Sequence, residues 1–146
     1  MKRLHIHIHT EDLEKSVRYY SALFGAEPAR READYAKWLL DDPAANIAVS
    51  SRGGKPGVDH VGVSIDGGDA LSEAASRLRA IEAPLFEEEA TTCCYANSDK
   101  FWSHDPQGTV CELFHTKSDS DVFGKDRTPE AAREPADKAA CCPATA

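Results

Sequence analysis

The chain has no long apolar run, no excess of basic residues and no even set of cysteines. No stretch approaches the roughly 20 apolar residues a membrane-crossing helix needs. The opening MKRLHIHIHT lacks the apolar core of a secretory signal. A cytoplasmic protein without a membrane partner is therefore expected. Lys and Arg number 17 against 25 Asp and Glu, a net charge of −8, which argues against nucleic acid as the main partner and for solubility. Five cysteines in a reducing compartment point to metal, metalloid or redox use; an odd count does not suit a disulfide framework. What the chain does have is 146 residues, 41% of them hydrophobic, enough for one domain or two tightly joined halves with a real core.

LHIHIH (4–9) alternates with period two and reads as a strand carrying His5, His7 and His9 on one face. In TEDLEKSVRYYSALFG, Leu13, Val17, Tyr20 and Leu23/Phe24 recur at helical spacing, with Thr10 or Asp12 placed to cap the start and Gly25 the end. Strand-like pieces follow at PARREA, YAKWLL and NIAVSS, then the turn-rich linker RGGKPG (52–57). The order then restarts: strand VDHVGVSI, helix GGDALSEAASRLRAIEA, strands APLFEEE, KFWSHD and TVCELFHT. This is a supersecondary repeat with a period of about 55 residues. The expected class is α+β: two βαβββ modules, 1–51 and 58–116, forming a curved mixed sheet around a cavity with the helices outside. From Lys117 to Ala146 periodicity is lost, and a flexible tail is expected, with a possible anchor at Val122 and Phe123.

Three features carry chemistry. A histidine from the His5/His7/His9 face, His60 amid Val58, Val61 and Val63, and Glu112 within GTVCELFHT occupy corresponding strands of the repeat. Converging in the cavity, two imidazoles and a carboxylate suit a divalent first-row metal and, with positions left open, non-haem Fe(II) handling O₂. NIAVSS offers only Asn46 as a further donor, which favours three protein ligands. The second feature is Cys93–Cys94 in TTCCYANSDKFW, expected in a loop between strands at the cavity rim. Neighbouring cysteines bridge each other only through strained geometry, whereas two thiolates clamp a soft metal or a trivalent arsenical. Cys141–Cys142 in the tail are candidate accessory thiols; Cys111 reads as a core residue. Tyr95, Lys100 and His104 receive no role.

Over residues 1 to about 116, the paired layout together with LHIHIHTEDLEKSVRYYSALFG, VDHVGV and CELF resembles the vicinal oxygen chelate superfamily of glyoxalases, bleomycin-resistance proteins and extradiol dioxygenases. DYAKWLLDDP, GVDHVGV and TTCCYA are more narrowly similar to carbon–arsenic lyases, organoarsenical-demethylating dioxygenases whose relatives are labelled cadmium-induced proteins. The resemblance implies that His5, His60 and Glu112 ligate Fe(II), that Cys93 and Cys94 bind the arsenical, and that His7 and His9 lie outside the ligand set. It implies O₂-dependent cleavage of the carbon–arsenic bond in trivalent methyl- or aryl-arsenicals, in a monomer or homodimer. Ni, Co or Zn would displace iron readily during purification. The alternatives are a resistance protein that only sequesters cadmium or arsenic, and another glyoxalase-type metalloenzyme such as an isomerase; the missing acid in NIAVSS argues against the isomerase.

Overall fold

The computed structural model describes residues 1–124; Cys141 and Cys142 lie outside the described residues. The elements run β1 (Lys2–His9), α1 (Leu13–Phe24), β2 (Arg30–Arg31), β3 (Tyr35–Asp41), β4 (Ala44–Ser50), β5 (Gly57–Ile65), α2 (Gly68–Ala80), β6 (Phe86–Cys93), β7 (Ala96–His104) and β8 (Val110–Asp119). The eight strands form one sheet in the order β2-β3-β4-β1-β5-β8-β7-β6. β1 and β5 pair antiparallel at its centre, and each also runs parallel to the last strand of its own module, β4 or β8. Exchanging the modules leaves this order unchanged, so the repeat legible in the chain is the symmetry of the curved sheet.

The helices explain why one face is apolar. Asp12 caps α1 by accepting the Lys15 N–H at 3.0 Å, and Gly25 ends it at φ 64° with its N–H on the Ser21 carbonyl. Leu13 and Val17 then share a stripe that packs on Ala36, Trp38 and Val49. In the second module Leu71, Ala74 and Ala75 of α2 pack on Ile65 and Phe101. Each buried Leu or Val contributes about 1.5–3 kcal/mol, which fixes the face that each strand turns to its helix. Ile8 joins the α1 cluster, and by strand alternation His5, His7 and His9 turn the other way, into the hollow.

Gly62 permits the central register. It stands opposite His5 on β1 and Glu112 on β8. A Cβ there would lie 1.9 Å from the Glu112 carbonyl oxygen, so the close approach of β5 to β8 requires glycine.

Four expectations change. β2 is two residues long rather than spanning 28–33; Pro28 has no N–H to give a ladder. β7 begins at Ala96, because Cys94 and Tyr95 at φ 58° and 60° form a two-residue hairpin turn where a longer loop was expected. Asn and Gly are the usual signals for that turn, and neither occupies it. β8 continues through Lys117 to Asp119, and Phe123 is buried against Tyr35 and Ala48 while Val122 is exposed. Cys111 is half-buried, its Sγ 3.6 Å from the Thr109 carbonyl, rather than a core residue.

Candidate metal and thiol site

The hollow is lined by residues from both modules, including His5, His7, Asn46, His60, Cys93, Cys94, Lys100 and Glu112. Three donor atoms meet in it. His5 Nε2 and His60 Nε2 are 3.3 Å apart, and Glu112 Oε2 lies 3.4 Å from the first and 3.2 Å from the second. Ligands about 2.1 Å from a shared ion stand about 3.0–3.4 Å apart, so the spacing fits one cation. The remaining atom of each side chain is anchored: His5 Nδ1 donates to the Asn46 carbonyl at 3.0 Å and His60 Nδ1 to Asp59 Oδ2 at 2.7 Å. Glu112 Oε1 accepts from Lys100 Nζ at 2.6 Å. These contacts leave the Nε2 lone pairs and one carboxylate oxygen for an ion, the orientation that outer partners impose on metal ligands. Beside His5 in the β1–β4 register, buried Asn46 Oδ1 has no hydrogen-bond partner among the described residues.

The charges explain how this set survives burial. Burial lowers His5 to about 4, more than the Glu112 charge restores. Burial also pulls on His60, but its bonds to Asp59 and Glu112 outweigh that and hold it up at about 9. Burial raises Glu112, yet Lys100 and His60 carry it well below the usual carboxylate range. Without metal, the proton on His60 therefore stands where the cation would.

Asp59 and Lys100 are the residues sequence reasoning missed. Strand alternation turns Asp59 away from His60, but the register shifts between His7 and Ile8 so that Asp59 lines the hollow as well; such bulges re-aim side chains and leave no periodic signal. Lys100, which received no role, is buried over the Trp102 ring, 5.4 Å from its centroid. His104 is also buried, its Nδ1 3.4 Å from the Asp105 carbonyl, and it does not line the hollow.

The vicinal cysteines face the same hollow. Both are free thiols with Sγ atoms 2.9 Å apart. The hydrogen bond from Cys94 pulls Cys93 below its usual range against the effect of burial, aided by the Lys100 charge; the same sharing, with burial, pushes Cys94 well up. The first proton to leave the pair is therefore that of Cys93. The turn that carries them is fastened to the first module: Tyr95 O–H donates to Asp34 at 2.6 Å, and the Tyr95 carbonyl accepts from Arg30 at 3.0 Å. Ser120 N–H also donates to that carbonyl, at 2.8 Å.

No protein-family model matches the chain. A trivalent organoarsenical cleaving enzyme of Bacillus sp. (strain MD1) is 39% identical over 151 residues, covering 100% of this chain and 93% of that protein. The chain belongs to the trivalent organoarsenical cleaving enzyme family. The Thermomonospora curvata protein of that name is 33% identical over 97% of this chain and 89% of its own length. The cadmium-induced protein CadI of Mycobacterium tuberculosis is 33% identical over 85% of this chain and 82% of its own. Solved structures share the fold at low identity. The Mn(II)-bound glyoxalase of Novosphingobium aromaticivorans matches with TM-score 0.58 at 14% identity over 88% of this chain and 44% of that one. The methylmalonyl-CoA epimerase of Mycobacterium tuberculosis matches with TM-score 0.56 at 23% identity, over 76% and 85%. The architecture is the vicinal oxygen chelate fold. Among the described residues no helix is long and apolar enough to cross a membrane.

Proposed function

We propose that this protein is an Fe(II)- and O₂-dependent carbon–arsenic lyase acting on trivalent methyl- or aryl-arsenicals and releasing arsenite. The observation that carries the reading is a two-histidine, one-carboxylate cluster and a vicinal thiol pair opening on one hollow, in a chain 39% identical to an enzyme named for that cleavage. His5, His60 and Glu112 would hold the ion, and their anchored far atoms suit them to that role. Fe(II), when bound with open positions, supplies the binding and activation of O₂.

The chain's own residues do the rest. Cys93 and Cys94 displace two oxygen groups from trivalent arsenic, leaving its carbon substituent in the hollow. Each As–S bond that forms breaks one As–O bond, and each thiol proton leaves on the oxygen group displaced, as water when that group is hydroxide; the Cys93 proton goes first. Holding arsenic by two sulfurs fixes the As–C bond beside the metal ligands, a proximity contribution. Trp102 and Phe114 line the hollow and shield the reacting bond from water.

The test is one assay run with and without air. Protein loaded with Fe(II) should consume O₂ and release arsenite from methylarsenite in air, and release none anaerobically. The kinship with CadI favours a second reading, in which the thiols only sequester cadmium or arsenic. Tight binding with no O₂ uptake in the same assay would establish that reading instead.

A further inference from the structure

His7 is buried in the hollow, and the proposed reaction leaves it unused. Its ring centroid lies 5.0 Å from that of His60 and 6.5 Å from that of His5. One nitrogen from each of these three rings lies within 4.8 Å of the others. Three buried imidazoles at this spacing with no acid among them are a donor set in their own right.

A hydrogen-bond chain links His7 to Asp59 through Ser50 and His9. Asp59 Oδ1 lies 3.3 Å from His9 Nε2, and a carboxylate accepts, so His9 carries its proton there. His9 Nδ1 and His7 Nε2 both meet the Ser50 hydroxyl, at 3.3 and 2.9 Å. Ser50 has one hydrogen to give. When it goes to His9, His7 Nε2–H donates to Ser50 Oγ, and the lone pair stands on His7 Nδ1. Ser50 is fully buried, so the chain has no water to replace a link.

We propose that His5, His7 and His60 form a second, all-nitrogen seat for a divalent cation of the zinc class, overlapping the carboxylate seat of His5, His60 and Glu112. Three neutral imidazoles and one water make the four-coordinate environment that Zn²⁺ and Co²⁺ favour, whereas a carboxylate with open positions suits Fe(II). Asn46 Oδ1, beside His5 and without a hydrogen-bond partner among the described residues, would accept the proton of a cation-bound water. Because His5 and His60 belong to both seats, the two are filled one at a time, and a zinc-class ion in the His7 seat excludes iron. The seat stands whether or not the protein cleaves arsenicals.

Metal-free protein titrated with Co²⁺, read by its visible absorption, tests this. Glu112→Gln should keep the intense bands of four-coordinate cobalt and stay within about tenfold of the wild-type affinity. His7→Leu should lose the bands and at least about tenfold in affinity. His7→Gln keeps a hydrogen-bonding partner for Ser50 and should behave as His7→Leu, which separates a lost ligand from a folding defect. Fe(II) titrated anaerobically should show the reverse order, retained in His7→Leu and lost in Glu112→Gln. Unchanged cobalt binding in both His7 variants overturns the proposal. So does a loss in all three variants, which describes a single four-ligand centre.

Discussion

Lys100 Nζ and Glu112 Oε1 form a buried ion pair 2.6 Å long, and the pair decides which carboxylate oxygen is left for a metal. Lys100 occupies one oxygen, so Oε2 faces His5 and His60, and under the proposed function the carboxylate would bind through a single oxygen. Removing the lysine strands a buried carboxylate beside the thiols. Lys100→Met should lower the stability of metal-free protein by about 3 kcal/mol, and saturating Fe(II) should recover much of it because a cation replaces the lost charge. Thermal unfolding with and without metal measures this; an equal loss in both conditions would contradict it.

The proposed metal ligands and the thiols should separate under mutation. His60→Ala should abolish iron binding, while Cys93→Ser should leave iron bound and weaken arsenical binding by at least about 100-fold, since a two-point clamp becomes a single contact. Metal analysis and arsenical titration on the two variants provide the comparison. Full turnover in Cys93→Ser would remove the thiols from the mechanism.

Metal affinity should climb with pH. His60 is held at about 9 in the metal-free protein, with a proton where the ion binds. Below that pH each binding event expels the proton, so apparent affinity should rise about tenfold per pH unit and level off above it. His5, lowered to about 4, is already neutral and adds no slope near neutrality. Calorimetry in buffers of different ionisation enthalpy should find about one proton released at pH 7; a value near zero would mean that His60 is neutral before metal arrives.

Gly62→Ala tests the register that sets His5 and Glu112 on opposite sides of one β5 residue. The added carbon meets the Glu112 backbone 1.9 Å away, so β5 and β8 must part. A loss of about 3 kcal/mol or more should accompany weakened metal binding in denaturation and titration experiments. A variant as stable as the wild type would show that the sheet opens there without cost.

Phe123 braces the thiol turn. Its ring packs against Tyr35 and Tyr95 at centroid distances of 6.0 and 5.5 Å, with the Arg52 guanidinium 4.1 Å above it. Phe123→Ala should cost about 3 kcal/mol and speed the labelling of Cys93 by a thiol reagent. An unchanged labelling rate would show that the turn holds without this brace.

Most elements and the raw materials of the site were legible in the residues alone. Period-two alternation put three histidines on one face of β1, a 3.6-residue stripe made α1, Asp12 and Gly25 bounded it, and the repeated strand–helix order announced the paired modules. These signals are local, written in neighbouring residues. Which groups meet depended on the folded arrangement. The bulge beside His60 turned Asp59 into the hollow, β7 carried Lys100 beneath Glu112, and a two-residue turn without Asn or Gly aimed both thiols inward. Register between strands far apart in the chain is set by packing and by one missing Cβ at Gly62, and neither leaves a periodic trace in the residues that it brings together.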